Sequence, residues 1–149
     1  MEPPRVKRRI CLSRRNFEQS TRGVWRVFEN REAFERMAIA HGYEVVMPEE
    51  LSFAAQIDLF QSAECIIGEQ GSGMHAAVFA EPGTLVASIP LRNVIQLHIG
   101  AAFDHRSVSV TRTATHQEAN GPVRYSVPEE DLAGLFVMLD ILRPLGLAT

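Results

Sequence analysis

The run Glu64-Cys65-Ile66-Ile67-Gly68 constrains this chain more than any other stretch. Its apolar centre is continuous rather than alternating, as expected of a strand covered on both faces in a parallel sheet. It passes straight into Glu69-Gln70-Gly71-Ser72-Gly73-Met74-His75, a glycine-rich turn that is expected to open a short helix from about Met74 to Ala80.

Strand and helix alternate on either side of it. Arg9-Ile10-Cys11-Leu12-Ser13 reads as a strand, and residues 14–26 as a polar, arginine-bearing loop. From Asn30, Ala33, Phe34, Met37, Ala38 and His41 recur at helical spacing, and Gly42 ends the helix at its C′ position. Tyr43 to Met47 is a strand ended by Pro48, and Ser52 caps a helix reaching Ser62 with Gln56 inside it. Pro82-Gly83 turns into a strand from Thr84 to Ile89; Val94 to Phe103 reads as helix and Arg106 to Val110 as strand. Residues 116–128 look like loop, and a final helix runs from Pro128 or Glu129 to about Leu142. The alternation predicts one α/β domain with a doubly wound, mostly parallel sheet. At 149 residues the chain has the usual length of one domain.

A hydrophobic share of 46% with 22% charged residues excludes disordered and fibrous classes. The net charge of -3 is unevenly spread. Arg5, Lys7, Arg8, Arg9, Arg14, Arg15, Arg22, Arg26 and Arg31 stand against only Glu2, Glu18 and Glu29 in the first 31 residues. Such a start suits phosphate groups or an anionic surface, or is simply a solvated basic edge. No aromatic residues interleave with it in the manner of single-strand binders, so nucleic acid is not an expected partner. Cys11 and Cys65 sit inside apolar runs and read as buried strand thiols, which suits a reducing compartment. Nothing approaches a membrane span or a signal peptide, so a cytoplasmic protein is expected, associated with membrane only through partners.

The glycine turn carries the chemistry. Ligands of open α/β sheets bind beyond the carboxyl ends of the strands, where Gly71 and Gly73 let backbone approach closely. The N–H groups of a following helix would face an anion there, and a diphosphate fits. The pattern is neither a Walker A loop nor the dinucleotide fingerprint, and a tight turn without ligand remains the even alternative. His75 could hydrogen-bond a phosphate or serve as a base, or merely pack beside the loop. Arg14 and Arg15 leave the first strand on the same rim, with the planar fork suited to phosphate. Glu69, Gln70 and Glu81 are the remaining polar groups expected there. No spacing among His, Cys, Asp or Glu suggests a metal.

Taken in order, Ile-x-Leu-Ser-Arg-Arg, GlyTyrGluValValMetProGluGluLeuSerPhe, AlaGluCysIleIleGly, the Gly-Ser-Gly helix start and ValPheAlaGluProGlyThrLeuVal resemble the C-terminal half of family 61 glycosyltransferases. The resemblance covers residues 8 to about 90. Residues 1–7 read as a tail and 91–149 as a divergent part of the same domain. It implies one Rossmann-like half of a GT-B enzyme of the bacterial surface-polysaccharide type, inverting and metal-independent, with no cofactor. The donor would be a nucleotide-sugar, most naturally uridine-linked, and the acceptor a glycan or glycoprotein. Donor contacts would fall on Arg14, Arg15, Gln70, Gly71, Ser72, Gly73, His75 and Glu81. The chain departs from the family at Gln70, where His is frequent, and at Ala76, where Asn is. A GT-B enzyme also needs a second domain that 149 residues do not hold. The resemblance therefore implies a transferase completed by an N-terminal partner domain or by self-association, or else a non-catalytic donor-binding module.

Overall fold

The computed structural model describes residues 6–19 and 25–146. The chain runs β1 (Arg8–Leu12), α1 (Arg15–Gln19), β2 (Arg26–Phe28), α2 (Arg31–Ala40), β3 (Glu44–Val46), α3 (Phe53–Gln61) and β4 (Ala63–Glu69). A 3₁₀ segment (Ser72–Phe79) leads to β5 (Leu85–Ile89), α4 (Ile95–Ala102), β6 (Arg106–Ser109), β7 (Ala114–Gln117), β8 (Val123–Ser126) and α5 (Glu129–Leu142).

The main sheet is parallel throughout in the order β3-β1-β4-β5-β6. Its side chains alternate between two cores. Cys11, Ile67 and Ala87 join Phe28, Phe34, Tyr125, Leu132 and Phe136 on one face. Ile10, Leu12, Ile66 and Val86 meet Leu59, Phe60 and Met74 on the other. Both faces are covered, which is why β4 reads as an unbroken apolar run. α2 packs on α5, while α3 and α4 flank the 3₁₀ segment. The chain moves from β1 to β3 in one direction, then crosses back to β4, β5 and β6. The expected doubly wound α/β domain is the one observed.

Local expectations hold where physics is local. Ser52 Oγ accepts the Ala55 N–H at 3.2 Å as the cap of α3, and Gln56 donates to Pro48 O at 2.8 Å. Gly42 adopts φ +81° after α2, the left-handed conformation of a C′ glycine. Both thiols are buried in strands; burial pushes Cys65 up to about 11 and Cys11 well above its ordinary value.

Three expectations need correction. The stretch 14–26 is not all loop: it holds α1 and the first residue of β2, with 20–24 outside the described residues. The stretch 116–128 is not loop either. β7 and β8 pair antiparallel, and β8 pairs parallel with β2, making a second sheet in the order β2-β8-β7. The short helix expected after the glycine turn from about Met74 to Ala80 is a 3₁₀ helix that begins earlier, at Ser72, and ends at Phe79. Glycine at 71 and 73 disfavours regular helix there, and the Met74 N–H donates to Gly71 O at 2.9 Å, closing a tight first turn.

His105, buried between α4 and β6, supplies a pH dependence. Its Nε2 lies 3.5 Å from Ala80 O, and Nδ1 has no hydrogen-bond partner among the described residues. Burial pushes the imidazole below its ordinary value, against the opposing pull of Ala80 O and Asp104. The unfolded chain then binds the proton more readily than the folded one. The contribution to stability is therefore complete above about pH 6.5 and is lost as pH falls through the folded value. The urea midpoint is expected to drop between about pH 7.5 and pH 5.5, with a shallower slope in His105→Gln; equal slopes would remove His105 as the cause.

Candidate functional site

The strand order reverses at β1 and β4, and a switch point of this kind opens a crevice beyond the carboxyl ends of the two strands. A cleft of about 450 Å³ lies there. Leu12, Ser13 and Arg14 bound it on the β1 side, Glu69 and Gly71 to Met74 on the β4 side. Asn16, Phe17, Arg26, Pro48 and Glu49 complete its walls.

The glycines have different reasons. A Cβ on Gly68 would stand 2.9 Å from Met74 Sδ and 3.1 Å from the Leu12 carbonyl oxygen, so a larger residue at the end of β4 would have to push Met74 and β1 aside. A Cβ on Gly71 would meet Arg26 Nη2 at 2.8 Å. A Cβ on Gly73 would meet nothing within 4 Å, so its surface faces open space.

Cationic charge gathers here. The Arg14 guanidinium lies 4.9 Å from the centre of the Phe17 ring, and its Nη1 is 3.7 Å from Glu69 Oε1, beyond hydrogen-bonding range. That nitrogen is buried and has no hydrogen-bond partner among the described residues. Arg26 donates to the Gln70 carbonyl oxygen. Burial, together with Arg14 and Arg92 nearby, pulls its guanidinium below the ordinary arginine value, and Glu69 opposes this. Arg92 lies over the Tyr125 ring at 4.6 Å. Tyr125, fully buried and stacked on Phe28 with centroids 5.0 Å apart, donates its hydroxyl to Glu69 Oε1. Burial and the Glu69 charge push that phenol far above its ordinary value, so it stays a donor. Arg14 and Arg26 thus stand at Glu69 on the cleft, with Arg92 behind them on Tyr125 and Glu49 on the opposite wall.

Of the residues singled out from sequence, Arg14, Gly71, Ser72 and Gly73 come together at the cleft. Arg15 turns away from it and pairs with Glu35 on α2. Gln70 is almost fully buried: its amide donates to Asn93 O at 2.8 Å, and its Oε1 accepts the Arg92 and Asn93 N–H groups at 2.5 and 3.2 Å. It pins the segment after β5. His75 is half-buried on the 3₁₀ segment and does not line the cleft. Glu81 sits at the opposite, amino end of the sheet, 2.8 Å from Lys7 Nζ.

Sequence reasoning passed over Arg26 and Tyr125 as site residues. Val123-Arg124-Tyr125-Ser126-Val127 carries β-branched and aromatic residues at alternate positions, a strand signal obscured by its shortness, whereas in Val24-Trp25-Arg26-Val27-Phe28 an arginine separates two apolar pairs and no alternation shows. Among the described residues no group of three or more His, Cys, Asp or Glu side chains is placed to hold a metal ion, and no helix is long and apolar enough to cross a membrane.

No curated protein matches the chain. The family model described as Glycosyltransferase 61 matches residues 1–87, which span β1 to β4, reach into β5 and include both strand ends that build the cleft. With well over half the chain inside that match, the protein belongs to glycosyltransferase family 61 and is a glycosyltransferase domain, made to act on a sugar donor and an acceptor.

Proposed function

We propose that the cleft binds the nucleoside diphosphate of a nucleotide-sugar, uridine-linked, and that the domain serves transfer of its sugar to a glycan acceptor with inversion. One observation carries this reading: Arg14, whose buried Nη1 has an ion-pair neighbour in Glu69 but no hydrogen-bond partner among the described residues, lines with Arg26 the same cleft as the Gly71–Gly73 backbone at the switch point. The open space at Gly73 suits close approach of a phosphate to backbone, and Phe17 and Pro48 offer an apolar wall to a base.

In an inverting displacement an acceptor hydroxyl oxygen bonds to the anomeric carbon as the bond from that carbon to the phosphate oxygen breaks. The electron pair leaves on the diphosphate, and the hydroxyl proton passes to a base. Arg14 and Arg26 would stabilise the charge growing on the leaving group, the electrostatic role that a divalent cation fills in other transferases. The observation that Gln70, at a position where the family often carries His, is wholly engaged by Arg92 and Asn93 favours a second reading, a donor-binding module that another polypeptide completes.

Titration calorimetry of the chain with uridine diphosphate tests the proposal. Binding is expected with equal affinity in the presence and absence of magnesium. Binding only with magnesium would overturn metal independence, and no binding under either condition would overturn the donor site.

A further inference from the structure

Glu35 lies in the middle of α2, 4% exposed, and does not line the cleft. A carboxylate at that depth is unfavourable unless its oxygens are satisfied. Both are, and mostly by one short stretch of chain. Oε1 accepts from Ser13 Oγ at 2.5 Å, Oε2 accepts from the Arg15 guanidinium, and Arg31 Nε stands 3.7 Å from Oε1. Ser13 Oγ in turn accepts the Arg15 N–H at 3.1 Å. The residues immediately before and after Arg14 are therefore tied to the same carboxylate on α2, which stands behind Ser13 and does not itself line the cleft.

That arrangement leaves Arg14 one way to point. With Ser13 buried toward α2 and Arg15 drawn to Glu35, the side chain between them emerges into the cleft against Phe17. The following turn is held separately: Glu18 accepts from Arg31 and, at 3.1 Å, from the Phe28 N–H, fixing α1 to β2 and so Phe17 to the cleft wall.

We propose that Glu35 is a positioning residue for anion binding. By clamping Ser13 and Arg15 it holds the Arg14 guanidinium ready for a diphosphate before the ligand arrives, which lowers the ordering cost of binding. Arg15 acts through this clamp and not by touching the ligand. The proposal rests on the donor-site reading above.

The test is a double-mutant cycle on the whole chain, with uridine diphosphate as the probe and affinity as the readout. Glu35→Gln and Arg15→Ala are each expected to weaken binding about tenfold, the scale of one misplaced charge-assisted hydrogen bond. Arg15 has an exposed side chain, so its variant stays informative if Glu35→Gln does not fold. Arg14→Ala is expected to weaken binding about tenfold or more in the unaltered chain, but less than about twofold once Glu35 is glutamine, because the contact it removes is then already lost. A merely structural role for Glu35 would give additive losses. Additivity, or an Arg15→Ala variant that binds like the unaltered chain, overturns the positioning role and leaves the donor site standing. Failure of the unaltered chain to bind overturns the donor site and this proposal with it.

Discussion

The double variant Arg14→Ala/Arg26→Ala is expected to bind uridine diphosphate roughly a hundredfold to ten-thousandfold more weakly than the unaltered chain, as calorimetry would read it. Each guanidinium makes charge-assisted hydrogen bonds worth about 1.5–3 kcal/mol to an anion, and each 1.4 kcal/mol is about a factor of ten in affinity. The pair should matter more than two surface charges. Arg26 is half-buried, and Arg14 Nη1 is buried without a hydrogen-bond partner among the described residues, so water screens both less than it screens surface charges. Neither residue belongs to a core cluster, so the variant should keep its far-UV circular dichroism. Affinity within about threefold of the original would place the diphosphate elsewhere.

The largest expected loss of stability comes from Phe136→Ala. Phe136 has no exposed surface and lies where α5 meets α2 and the sheet. Its ring centre is 4.9 Å from that of His41, 5.7 Å from Tyr43 and 5.8 Å from Phe34. Truncation removes the ring and leaves a cavity walled by rigid aromatics that cannot close it, which costs about 3–5 kcal/mol. Against a total of about 5–15 kcal/mol for a domain, that is a substantial share. The melting temperature is expected to fall by roughly 10 °C, on a scale of about 2–4 °C per kcal/mol at this chain length. A fall under about 3 °C would mean that α5 repacks, since the usual cost of truncating a buried ring would then be absent.

The main sheet was legible because each of its strands is announced locally. β4 has its continuous apolar run, β3 is closed by Pro48 and β5 by Pro90, and the helices between them show apolar spacing and a serine or glycine at an end. The small sheet was not. β2 has three residues, of which only Phe28 is buried, and every residue of β7 is exposed, so neither is long or apolar enough to show an alternating buried face. Pairing between β2 and β8 joins distant parts of the chain, which periodicity within a window cannot report.

The site divides along the same line. Arg14 and the turn from Gly71 to Gly73 follow from the rule that loops at strand carboxyl ends meet, and they do meet. Arg15 differs from Arg14 only in which way its turn faces, a matter decided by Glu35 twenty residues away. Glu81 looked close to the turn in sequence, but the 3₁₀ segment carries the chain back along the sheet to its amino end. Gln70 and Arg26 exchange roles for a reason visible only in three dimensions: the glutamine side chain is consumed by the segment after β5, and the arginine reaches the glutamine's carbonyl oxygen.

The pairing of β2 with β8 has a consequence for how this protein is made. Asn30, between β2 and α2, donates to Val127 O, 97 positions further on, and Tyr125 closes over Glu69 from the same late segment. A ribosome adding about 5–20 residues per second needs on the order of 5–20 s to span that interval. Throughout it, Phe28 lacks its stacking partner and the nascent β2 lacks a neighbour. The chain therefore spends its synthesis with an unfinished cleft and an uncovered aromatic face, the interval in which a chaperone would find the most to hold.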